Sequence, residues 1–216
     1  MNILVVLFFL QNIIVTAILG YKFFSQKKNL SFKNFGIALF LNTIAFAIWS
    51  FAIIQQASNL DQYVTAGAAF FIASLVFLLI AGTQEMKAGM RMGIVTIGII
   101  VGVVLFYART FMYPSAPSIS PEGLFFFNLQ PVVQMLYIFG LGLAAFPAIE
   151  AVASRFKGSY ASLVRYSFII EVMGGVILMT SSNTQMLYVL GWIMGTVYFV
   201  LCATLLFSKK AWSLSN

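Results

Sequence analysis

Apolar residues along the chain gather into seven runs, at roughly 2–23, 34–55, 63–84, 92–113, 129–154, 161–181 and 185–208, separated by short polar breaks. Each run has about the 20 mostly apolar residues that one transmembrane helix needs. The pattern therefore predicts an all-α integral membrane protein, a bundle of seven transmembrane helices forming one domain over 1–216. One break is longer. The stretch "PSAPSISPEGLFFFN" between the fourth and fifth runs carries the prolines and serines of a true interruption. It predicts a loop with a short helix or strand at "GLFFFN".

Composition supports lipid as the solvent. The 216 residues are 62% hydrophobic and 8% charged, against the roughly 25% charge of an ordinary soluble domain. The net charge of +7 would suit nucleic acid, but the basic residues flank the apolar runs, where they set topology and meet anionic lipid. Lys22, Lys27, Lys28 and Lys33 surround the first break, Lys87 and Arg91 the third, and Arg155 and Lys157 the fifth. Lys209 and Lys210 follow the last run, whereas "QASNLDQ" and "SSNT" contain no Lys or Arg. The positive-inside rule then puts the N-terminus outside and the C-terminus in the cytoplasm of a cell membrane. No basic residue precedes the first run, so it reads as a retained helix rather than a signal peptide.

The chain has no histidine and one cysteine, Cys202, within an apolar run. Without histidine there is no His-ligated zinc or haem and no Ser-His or Cys-His catalysis. No catalytic, cofactor-binding or metal-ligating pattern is present, and a non-enzymatic role with no cofactor is expected.

Candidate chemistry lies in the few polar residues inside the runs. In "SLVRYSFIIEVMGGVILM" (162–179) an arginine and a glutamate interrupt the sixth run. Glu171 lies roughly 15 Å into that helix, near the bilayer centre. It sits about 120° around the axis from Arg165, so the two do not share a face. A carboxylic acid at that depth faces the bundle interior, where its neutral, hydrogen-bond-donating form is favoured. Asn12 and Thr16 in the first run, Asn42 and Thr43 in the second, Ser74 in the third and Tyr198 in the seventh fall at similar depth. The candidate intramembrane site is Glu171, Asn12, Asn42, Ser74 and Tyr198, serving as interhelical glue or as a ligand, proton or signalling site.

Glu150 lies about as far before the "FKGSYA" turn as Arg165 lies after it. Either they pair near the cytoplasmic rim, or Arg165 snorkels to the headgroups along its apolar stem. Towards the outer face, Arg109 sits with Trp49 and Trp192 in one leaflet. They are either interface anchors or an outer pocket, with Arg109 an anion contact and 114–128 a lid. Two pairs of glycines four apart, Gly98/Gly102 and Gly191/Gly195, predict close helix packing. Gly174 and Gly175 are a hinge or a packing notch.

Microbial rhodopsins hold retinal on a lysine of the last helix, and the seventh run has none before Lys209. SWEET-type transporters share the span count, but the chain lacks their repeat and Pro-Gln signature. The second run, "KNFGIALFLNTIAFAIWSFAI", the "YPSAPSISPEGLFFF" connection and "SLVRYSFII" resemble the seven-transmembrane N-terminal sensor region of bacterial histidine kinases. That resemblance implies structural roles for Asn34, Phe35, Trp49 and Arg165. The chain ends at Asn216 without a coiled coil or kinase, so a stand-alone relative, or one acting through a separate protein partner on the cytoplasmic side, is implied. The expected function is a membrane sensor or accessory subunit, with membrane lipids and a small or lipophilic molecule as partners. A small transporter, proton-coupled through Glu171, is the rival; the chain lacks the repeats common in transporters.

Overall fold

Seven long helices follow one another: α1 (Ile3–Phe24), α2 (Leu30–Ile54), α3 (Leu60–Gly82), α4 (Ala88–Tyr107), α5 (Pro131–Ala153), α6 (Ser159–Thr180) and α7 (Gln185–Phe207). Their boundaries fall within about one helical turn of the predicted runs, except that α4 stops six residues before the predicted end at 113, where a π-helical turn over Ala108–Met112 takes over. This computed structural model describes residues 3–26, 29–55, 58–120, 125–180 and 185–213; Lys27, Lys28 and the "SSNT" connection (181–184) lie outside the described residues. Six of the helices, α2 to α7, are long and apolar enough to cross a membrane, while the described apolar stretch of α1 is the shorter Leu10–Phe24. The protein is thus a multi-pass helical membrane protein. Helices are the expected solution, because in lipid every backbone N–H must find its acceptor inside its own segment.

Local chemistry sets the ends. The Asn29 side chain accepts from the Phe32 N–H at 3.2 Å and caps α2. Pro131 opens α5 at a position that has no helical N–H partner. Gly158 takes the left-handed conformation (φ 58) that the tight α5–α6 turn requires.

The helices pack as a closed ring. α1 lies on α2, α2 on α3, α3 on α5, α5 on α6, α6 on α7, and α7 returns to α1. α4 stands outside, packed chiefly on α3, with only Gly102 and Leu105 buried. Glycine decides two of the crossings. A Cβ on Gly36 would fall 2.6 Å from the Phe24 N and 2.7 Å from the Gly20 O, so α1 and α2 touch backbone to backbone there. At Gly82 a Cβ would meet the backbone of Pro147 and Ala148 at 2.8 Å. Of the predicted packing glycines, Gly98 lies against Leu79 and Gly102 against Ile72, both on α3. Gly191 and Gly174 differ, having nothing within 4 Å among the described residues, while Gly175 would hold a Cβ 3.6 Å from Leu141.

At the end where the basic residues gather, Phe23 packs edge-on against Phe32, Phe35 and Phe156. A short helix that the hydropathy pattern does not predict, α8 (Lys209–Ser213), adds Trp212 to this cluster. Trp212 lies 5.2 Å from the Phe23 ring and donates its indole N–H to Leu205 O at 3.0 Å. At the opposite end, α4 runs into a π-helical turn, Ala108–Met112. A connection follows with two short antiparallel strands, β1 (Ser118–Ile119) and β2 (Phe125–Phe126); the expected short element at "GLFFFN" is β2. Asn128, with φ 47, closes the connection by donating its side-chain amide to Ala116 O at 2.8 Å.

Candidate functional site

Glu171 points from α6 towards α2. Its Oε1 accepts a hydrogen bond from Asn42 Nδ2 at 2.9 Å, and the Tyr198 phenol lies near the carboxyl. Tyr198 is buried and shares a 3.0 Å hydrogen bond with the Thr16 hydroxyl on α1. Asn12 lies one turn earlier on that helix, on the Thr16 face. The polar groups of α1, α2, α6 and α7 therefore meet at one level. Ser74 donates to Phe71 O of its own helix at 2.6 Å, and Thr43 to Leu39 O at 2.8 Å.

Glu171, Asn42 and Ser74 line a cavity of about 60 Å³ between α2, α3, α5 and α6. By the volume one probe sphere needs, it has room for about five water-sized groups. Asn42 Oδ1 is buried and has no hydrogen-bond partner among the described residues. This wall consequently offers acceptors: the carboxylate, the amide oxygen, and the lone pairs of a hydroxyl whose proton is already committed. Among the described residues no three His, Cys, Asp or Glu side chains come together as metal ligands would.

A second cavity, of about 40 Å³, lies towards the loop end and adjoins the first at Phe46, Phe71 and Gly175. Arg109, Trp49, Tyr137 and Phe127 line it. Arg109 is 2% exposed, one of the largest fully buried side chains. The π-helical turn is closed by the Tyr113 N–H on Ala108 O at 2.7 Å. Such a turn inserts a residue and re-aims the side chains around it. The guanidinium donates to Thr65 Oγ1 at 2.5 Å, Asp61 Oδ1 at 3.2 Å and Ser115 Oγ at 3.4 Å. It thus ties the start of the α4–α5 connection to α3. Arg109 Nε, Trp49 Nε1 and the Tyr137 hydroxyl are buried without hydrogen-bond partners among the described residues.

Trp49 is buried in the bundle, with the Phe127 ring edge-on at 4.8 Å. A Cβ on Gly67 would overlap its indole, so only glycine admits this packing. Trp192 is not among the residues lining this cavity. It sits on α7, which packs against α6 and α1.

Glu150 and Arg165 meet at the basic end, where Arg165 Nε donates to both carboxylate oxygens at 2.8 and 3.0 Å. Arg165 therefore does not serve Glu171. Arg155 in the α5–α6 connection pairs with Glu85 in the α3–α4 connection.

Sequence reasoning did not identify Asp61, Thr65 and Ser115 around Arg109, Tyr137 in the second cavity, or Glu85 beside Arg155. A signal existed for the acids. The chain has five Asp and Glu residues in all, so the acid nearest each end of a span is an obvious partner for the basic residue there. Tyr137 carried none, because one tyrosine in an apolar helix looks like any other. Comparison with known protein families, curated proteins and solved structures finds no match to this chain.

Proposed function

We propose that the protein is a non-enzymatic sensor or accessory subunit of the cell membrane that perceives a small or lipophilic ligand inside its bundle. The observation that carries this reading is the pair of adjoining cavities within the helix ring, with Glu171 and Asn42 on the wall of one. A buried acid among apolar side chains is costly, and such residues mark working sites, while pockets of this kind, apolar with a few convergent polar groups, are where small molecules bind. α1 supplies a seventh span in this reading, with the N-terminus outside and the basic end, bearing Arg155, Lys157 and Lys209, in the cytoplasm. A protein partner would be met on that basic face. The resemblance of the second and sixth runs to histidine-kinase sensor regions favours sensing.

Mass spectrometry of the full chain purified in lipid nanodiscs tests the proposal. A small molecule released on unfolding, present in wild type and lost in Glu171→Leu, is the expected result. Consumption of a substrate, or flux of a solute through reconstituted vesicles, would overturn it. The carboxyl on a cavity wall also favours the second reading, a small transporter coupled to protons through Glu171. That reading requires flux that disappears in Glu171→Gln; flux that persists unchanged rules out the coupling.

A further inference from the structure

Glu171 is the acid of the mid-bundle polar cluster, and no cation reaches it among the described residues. Arg165 is held by Glu150, Arg109 by Asp61, Thr65 and Ser115, and no Lys or Arg lines the inner cavity. A buried carboxylate without a counter-charge is strongly disfavoured, so Glu171 alone is held neutral, and its ionised form is stabilised only by a cation that enters beside it. The cavity leaves space beside the carboxyl, and the other polar groups on its wall, Asn42 Oδ1 and Ser74 Oγ, are acceptors. What is missing is a donor with positive charge.

The rest of the wall narrows the chemistry. Four phenyl rings, Phe35, Phe46, Phe71 and Phe168, line the same cavity. Aromatic faces attract an ammonium or guanidinium group within about 6 Å, most strongly where water is excluded. Hard metal cations instead take six or more oxygen ligands, which this largely aromatic and aliphatic wall does not supply. The remaining lining is aliphatic and suits a short hydrocarbon body.

We propose that the inner cavity is a binding site for a small organic ammonium, its charged head on Glu171 and Asn42 and its hydrocarbon body among the phenyl rings. The proposal rests on the reading of the bundle as a ligand binder and adds the class of ligand. A molecule the size of n-butylammonium matches the room for about five water-sized groups.

The full chain in lipid nanodiscs is unfolded thermally in the presence of n-butylammonium, n-butanol or n-butyrate, three probes of one size that differ in charge. Butylammonium is expected to raise Tm by several degrees in a saturable manner, with no saturable rise from the other two. Glu171→Gln keeps the hydrogen-bonding shape and should abolish the shift. An equal shift with butanol or butyrate overturns the ammonium assignment, as does a butylammonium shift that survives Glu171→Gln. Both outcomes leave the bundle as a ligand binder. Absence of any shift also overturns the assignment, while the co-purified molecule tests ligand binding separately. Should Glu171→Gln fail to fold, a series of methyl-, butyl- and octylammonium on the wild type decides. An optimum at butyl supports a bounded cavity, and a rise continuing through octyl, as for partition into lipid, overturns it.

Discussion

Glu171 stays in an apolar helix because it faces the ring interior and accepts from Asn42 at 2.9 Å. Replacing it with glutamine retains a hydrogen-bonding group, so Glu171→Gln should fold with nearly unchanged Tm. Glu171→Leu strands the Asn42 amide and should cost about 1–2 kcal/mol, measured as loss of thermal stability in detergent. Equal stability of the two variants would show that the bond contributes nothing. The Glu150–Arg165 pair invites a different measurement, since one nitrogen reaches both oxygens. In a double-mutant cycle with Glu150→Gln and Arg165→Gln, the double variant should melt close to either single one. Additive losses would mean the contact has no energetic coupling. The depth of Glu171 and the symmetry of Glu150 and Arg165 about their turn were legible from spacing alone. Which of Asn12, Asn42, Ser74 and Tyr198 bonds to Glu171 was not, because that depends on helix rotations that spacing within one helix leaves open.

The helices differ in how they use glycine. Gly36 sits where α1 and α2 meet backbone to backbone, and Gly191 faces open space among the described residues. Gly36→Ala should therefore destabilise the protein by about 1–3 kcal/mol by forcing the helices apart. Gly191→Ala should be neutral or slightly stabilising, within about 1 kcal/mol, from helix propensity alone. Matching thermal shifts for the two would contradict this packing. The α4–α5 connection depends on Arg109, which reaches Asp61 and Thr65 on α3 and Ser115 in the connection itself. Bonds to a charged group contribute about 1.5–3 kcal/mol each. Arg109→Met is then expected to speed proteolysis within 113–130 by on the order of tenfold, as local opening becomes cheaper. An unchanged cleavage rate would mean the connection is held by Phe126 and Phe127 instead. Sequence alone marked this region as a break, since its prolines and serines interrupt the hydropathy. The π-helical turn that aims Arg109 inward left no such mark.

Across the whole molecule, basic residues gather at one end and the Arg109–Asp61 network occupies the other. In a Cys202→Ser background, single cysteines at Asn59 and Ser118, both exposed, should react with a membrane-impermeant maleimide on intact cells. Cysteines at Ser25 and Ser154, also exposed but at the basic end, should react only after lysis. The reverse pattern would invert the topology, and labelling at both ends would break it.

The number of long helices and their limits could be read from the chain alone, because a bilayer of fixed thickness demands apolar segments of one length and helical hydrogen bonding within each. The same rule picked out Glu171, Asn42 and Arg109, since polar groups in such segments stand out against their neighbours. Partnership and enclosure belong to the tertiary structure. The chain contains nothing that sets Arg109 beside Asp61 on another helix, seats Trp49 over Gly67, or leaves α4 outside the ring and Trp192 off the wall of the second cavity. Those outcomes depend on the order and rotation of packed helices. Lipid does not choose these, because its tails are as apolar as the side chains, so they are decided by close fits such as Gly36 on Gly20 and Gly82 on Pro147.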